Sequence, residues 1–96
     1  MTMTLETLKA NNARAGHLFF SPDTMRFFRS RISSRIYQAA SGAIYIVTSE
    51  QAPRSPRRYS VRITTDDGVT FDTVDGPGAY STSRAAHARA KHLASS

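Results

Sequence analysis

The 96 residues include no cysteine, so disulfides and thiolate metal sites are excluded, and the composition fits a reducing compartment. No apolar run approaches the roughly 20 residues of a membrane-spanning helix. The opening Met1-Thr2-Met3-Thr4-Leu5-Glu6 has neither the basic nor the apolar region of a signal peptide. The expectation is a cytoplasmic protein with no membrane partner.

Reaction chemistry is equally sparse. There is no glycine-rich phosphate loop, and Ser41-Gly42 lacks the flanking glycines of a nucleophile elbow. His87 and His92 stand five apart on an expected helix, about 140° around its axis, so they cannot share a metal ion as an i, i+4 pair does. His17 is isolated in the sequence. Asp66 and Asp67 are consecutive turn residues, and no second carboxylate is placed to tune Asp72 as an acid or base. No catalytic, metal-binding or cofactor-binding residue is expected.

Acid is scarce where base is dense. Between Arg26 and Arg62 lie Arg29, Arg31, Arg35, Arg54, Arg57 and Arg58, and the one carboxylate among these eight arginines is Glu50. The sign then reverses: Asp66, Asp67, Asp72 and Asp75 follow with no base before Arg84. Guanidinium groups keep their charge at any ordinary pH and present a planar fork of donors, which suits phosphate or carboxylate oxygens. With a net charge of +6 and a pI near 10.5, the chain is drawn to polyanions before any specific contact forms.

Length permits one domain around one modest core. Residues 1–15 offer only the Leu5, Leu8 spacing before Asn11-Asn12 and Gly16, which predicts a mobile N-terminal arm ahead of a single α+β domain over 16–96. Ser21-Pro22-Asp23-Thr24 has the chemistry of a helix start, and Met25, Phe28 and Ile32 follow at helical spacing, so a helix is expected over about 22–34. Three β-like runs follow, 43–50, 58–65 and 69–74. Tyr59, Val61 and Ile63 alternate with polar residues in the second, and Asp66-Asp67-Gly68 forms the turn to the third. The alanine-rich run 84–94 reads as the closing helix. The predicted order is helix, three-stranded antiparallel sheet, helix. Its Tyr59, Val61, Ile63, Val69 and Phe71 face is expected to pack against both helices.

Two places present the arginines. On the expected first helix Arg26, Arg29 and Ser33 share one side and Arg31 and Arg35 another, flanking an apolar stripe in which Phe27 and Phe28 are core candidates alongside Phe19 and Phe20. The loop Pro53-Arg54-Ser55-Pro56-Arg57-Arg58 is the second. Its Ser-Pro-Arg-Arg core resembles a short basic turn motif that, in repeated copies, lies in the minor groove of A·T-rich DNA. It also reads as a plain hairpin connection kept out of the strands by its prolines.

Two wider resemblances bear on function. Residues 20–32, followed by Tyr45-Ile46-Val47-Thr48-Ser49-Glu50 and Arg57-Arg58-Tyr59-Ser60-Val61-Arg62, look like a group of short proteins of unknown function common in bacteriophages and plasmids. That resemblance implies a mobile-element accessory protein acting in a bacterial host cell, a class that includes inhibitors of restriction or CRISPR defence. The predicted element order also resembles the double-stranded RNA-binding domain, although Ser83-Arg84-Ala85-Ala86-His87 and the loop 51–57 carry few of that family's contacts.

The expected function is therefore non-enzymatic binding of nucleic acid, or of a host nucleoprotein or defence complex, through Arg26, Arg29, Arg31, Arg35, Arg54, Arg57, Arg58 and Arg62. Its alternatives are an inhibitor that docks its arginines in an acidic protein groove and a structural assembly protein.

Overall fold

Ile44, Ile46 and Thr48 alternate with Tyr45, Val47 and Ser49 along one run, and this period of two sends side chains to both sides of a sheet. The computed structural model of the chain describes residues 4–17, 25–26 and 29–95. Strands β1 (Arg31–Gln38), β2 (Ile44–Glu50), β3 (Arg58–Thr64) and β4 (Asp72–Val74) form one antiparallel sheet in the order β1-β2-β3-β4. Helix α1 (Leu5–Arg14) packs on one face and helix α2 (Ser83–Ala94) on the other.

Register decides which residues share a face. Ile46 pairs with Ile36 and Arg62, while Val47 pairs with Val61, which pairs in turn with Val74. On the first face Ile44 and Ile46 bury against Leu5 and Leu8 of α1, with Ile32, Ile36 and Phe71 packed around them. On the second, Val47 and Val61 meet Ala86 and Ala90 of α2, ringed by Tyr37, Tyr45, Tyr59, Val74, Tyr80 and Leu93. The two alanines are four apart and fully buried, so their small side chains bring the helix axis close to the sheet. Each large aliphatic side chain removed from water contributes about 1.5–3 kcal/mol.

The predicted frayed arm is instead α1. Thr4 caps it, its Oγ1 accepting from the Thr7 amide, and Leu8 is fully buried. Asn11 and Asn12, read as helix breakers, fasten it to the fold: Asn11 Nδ2 donates to the Asp67 carbonyl at 2.7 Å, and Asn12 Nδ2 donates to the Gly68 and Val69 carbonyls at 3.1 and 3.0 Å. Gly16 does stop the helix, at φ 85, where the Gly16 and His17 amides cap the carbonyls of Ala13 and Asn12.

The expected helix over 22–34 is overturned at its C-terminal end. Met25 and Arg26 are helical, but Arg31 opens β1. Ile32 and Ile36 stand four apart, which suits a helix turn or two strand repeats equally, and pairing with β2 decides for the strand. The sheet thus has four strands where three were expected. Ser21, Pro22, Asp23, Thr24 and the phenylalanines Phe19, Phe20, Phe27 and Phe28 lie outside the described residues. The predicted single buried face is split as well: Tyr59 and Val61 face α2, whereas Phe71 belongs to the α1 cluster.

The Asp66-Asp67-Gly68 turn is present, with Asp67 and Gly68 at φ 58 and 96, inside a longer connection that delays β4 to Asp72. Asp66 accepts from the Thr70 amide at 2.8 Å, the Thr70 hydroxyl at 2.6 Å and the Thr64 hydroxyl at 2.9 Å. These bonds, those from Thr70 first, hold its carboxyl below the usual aspartate range. Among the described residues, no helix is long and apolar enough to cross a membrane.

Candidate functional site

The strands deal the arginines out by parity and position, and the eight predicted site residues do not form one patch. Arg62 lies on the α1 face of β3 and is largely buried, its side chain 16% exposed. It ion-pairs with Glu50 at 2.9 Å and donates to the hydroxyls of Thr48, at 3.1 Å, and Thr73. Arg58, on the same face, donates from Nε to the Gly78 carbonyl at 2.9 Å. Arg54 projects from the tip of the β2–β3 loop with a left-handed backbone, φ 61. On β1, Arg35 holds its guanidinium 5.6 Å from the centre of the Tyr37 ring.

The remaining four converge. Arg26, Arg29, Arg31 and Arg57 line one open depression of about 590 Å³, together with Met25, Ser30 and Gln51 and with no carboxylate among them. Local geometry explains the convergence. The amides of Arg29 and Ser30 donate to the carbonyls of Arg26 and Met25 at 3.2 and 2.8 Å, the paired bonds of a Schellman helix stop. Arg29 takes the left-handed position usually given to glycine, at φ 50. The chain then turns directly into β1 at Arg31. Arg57 reaches the same place from the far end of the β2–β3 loop, where its Nη1 donates to the Arg29 carbonyl at 2.8 Å and to Ser49 Oγ at 2.9 Å. Both Nη1 protons are used there, which leaves Nη2 and Nε without a hydrogen bond to any described residue.

A smaller recess of about 240 Å³ adjoins the depression, since Arg31 and Arg57 line both. It lies where β1 bulges away from β2 between Ile32 and Ile36. Ser33, Thr48, Ser49, Tyr59, Ser83 and His87 complete its polar lining, again with no carboxylate. His87 Nδ1 is 2.9 Å from the Tyr37 hydroxyl. Burial first, and the charge of Arg35 second, push the His87 pKa below its ordinary value of 6.5.

A third hollow, of about 510 Å³, opens on the α1 face between Met25, Ile32, Ala52 and Pro77. Its walls are mainly carbon, and the Glu50 and Arg62 charges there neutralise each other. Among the described residues, no three His, Asp or Glu side chains gather as a metal site.

Sequence reasoning named the four converging arginines and set Ser33 beside Arg26 and Arg29 on an expected helix, but gave no site role to Ser49 and Tyr59, which sit in ordinary strand patterns. It weighed His87 only as a metal ligand or as part of an RNA contact. The likeness to the double-stranded RNA-binding domain loses its basis in element order, because four strands separate α1 from α2 and the 51–57 loop joins the second and third of them.

The chain belongs to a family of unknown function, DUF7447, whose model matches residues 4–91. No curated protein and no solved structure matches it.

Proposed function

We propose that this is a non-enzymatic binding protein that engages the phosphate backbone of nucleic acid with Arg26, Arg29, Arg31 and Arg57. One observation carries the reading: four guanidinium-bearing residues from two segments far apart in sequence line a single open depression in which no described residue supplies a neutralising carboxylate. Ion pairs inside a fold place acids beside bases, as Glu50 does for Arg62; among the described residues no acid forms an ion pair with this cluster, and Arg26, Arg29 and Arg31 are exposed. An anionic polymer would exchange its counterions for these groups. The mobile-element resemblance extends the reading to a host nucleic-acid-handling complex as the physiological setting, with inhibition of a defence system as the consequence.

The test is a binding titration of labelled single-stranded and duplex oligonucleotides at rising salt. If the four arginines replace condensed counterions, affinity should fall at least about tenfold between roughly 50 and 200 mM salt. Absence of binding to either at the lowest salt would remove nucleic acid as a direct ligand. A pull-down from host lysate with and without nuclease then separates this reading from an acidic protein groove: a partner that survives nuclease favours the groove.

A further inference from the structure

The recess beside the depression has a donor set richer than backbone contact requires. A phosphodiester carries one negative charge on two free oxygens. Here Arg31 and Arg57 line the recess together with Ser33, Thr48, Ser49, Ser83, Tyr59 and His87, residues whose side chains can donate hydrogen bonds. Two positive charges with this many donors match the double charge and three free oxygens of a phosphomonoester.

Geometry supports the match. Ser49 is nearly buried, 4% exposed, and its oxygen already accepts from Arg57, so its own proton is directed elsewhere. Arg57 is held at Nη1 and presents its remaining N–H groups from a fixed position. With Nδ1 engaged by Tyr37, His87 has Nε2 without a hydrogen bond to any described residue. At about 240 Å³ the recess is smaller than the roughly 300–1,000 Å³ of sites that enclose a drug-sized molecule, a size that suits a small group such as an ester head.

We infer that this recess binds the terminal phosphate of a nucleic-acid strand, while the phosphates that follow cross the Arg26 and Arg29 side of the adjoining depression. The inference rests on the nucleic-acid reading above and adds recognition of a strand end. The groups facing His87 are Arg31, Arg35 and Tyr37 from β1, with Arg57 and Tyr59 from the β2–β3 side; all the charged ones are cationic. A bound dianion would therefore raise the His87 pKa that burial and Arg35 now depress.

The experiment compares one single-stranded oligonucleotide bearing a 5′ phosphate, a 3′ phosphate or hydroxyls at both ends, by fluorescence anisotropy with the full chain. One phosphorylated form should bind roughly tenfold or more tightly than the hydroxyl form, the scale of one or more added charge-assisted hydrogen bonds. Ser83→Glu places a carboxylate in the recess at a helix N-terminus, a position where acids favour the helix. It should abolish the increment and keep the hydroxyl form bound, and the neutral Ser83→Gln should retain an increment. The phosphorylated oligonucleotide should also shift the His87 ring resonances and raise that residue's titration midpoint. Equal affinity for all three oligonucleotides, or an increment untouched by Ser83→Glu, overturns the strand-end inference and leaves backbone binding standing. Absence of binding by all three overturns both.

Discussion

Arg57 Nη1 lies 2.8 Å from the backbone carbonyl oxygen of Arg29, the residue whose left-handed conformation ends the helical turn before β1. This bond joins two basic segments 28 residues apart and turns a flexible loop arginine into a fixed one.

Arg57 should therefore matter more than its loop neighbour. Arg57→Ala is expected to weaken oligonucleotide binding by at least fivefold and to lower stability by about 1 kcal/mol, the net worth of a typical hydrogen bond. Arg54→Ala, at the exposed tip, should leave stability within about 0.5 kcal/mol of the parent. Urea melts and anisotropy titrations of both variants check this; equal effects would show that the Arg29 contact does not position the guanidinium.

Charge reversal at Arg26 and Arg29 is expected to weaken binding by about 2 kcal/mol or more, since each change removes a charge-assisted contact and adds a repulsion. The substitutions leave the α1 and α2 cores untouched, so matched circular dichroism should show an unchanged fold. Retained affinity would place the polyanion elsewhere.

Glu50 and Arg62 are predicted to act in folding. Glu50→Gln should cost about 2 kcal/mol, because it removes the charge of the Glu50–Arg62 ion pair at a largely buried site. A double-mutant cycle with Arg62→Ala should show coupling between the two positions. Independent, additive effects measured by denaturant unfolding would refute the network.

Gly68→Ala should be among the most damaging single changes. The backbone there has φ +96, and an added Cβ would lie 2.7 Å from the Leu8 carbonyl oxygen and 2.8 Å from Leu8 Cα. Strain and displacement of α1 together should cost about 2–3 kcal/mol. An unchanged melting temperature would show that α1 does not pack against this loop.

The pH dependence of stability has a definite sign at His87. Its folded pKa lies below 6.5, so the unfolded chain binds the proton more readily. Stability from this group is complete above the unfolded pKa and is lost as pH falls from 6.5 through the lower folded value. His87→Gln should flatten that part of the profile in urea melts between about pH 5 and 8. A slope identical to the parent's would show that His87 is not its source.

Much of the fold was legible because its causes are local. β3 follows from period-two alternation, β2 from its β-like composition, the Asp67-Gly68 turn from backbone tolerance, and α2 from alanine content. α1 was not legible, because what stabilises it is distant: Leu8 needs Ile44 and Ile46 to bury against, and Asn11 and Asn12 reach carbonyls 56 and 57 residues away. Its own sequence reads as a weak helix interrupted by asparagines.

The same division holds for the site. By itself the sequence determined that this protein carries dense, permanent positive charge over residues 26–62 and an acidic turn after it, because composition and order alone set charge density. Only the tertiary structure decided which arginines act together. Strand parity and register turned Arg62 toward Glu50 on one face, and a helix stop at Arg29 brought Arg26, Arg29 and Arg31 to the place that Arg57 reaches from the next hairpin. A side chain's face depends on pairing partners many residues away, and no local pattern encodes that.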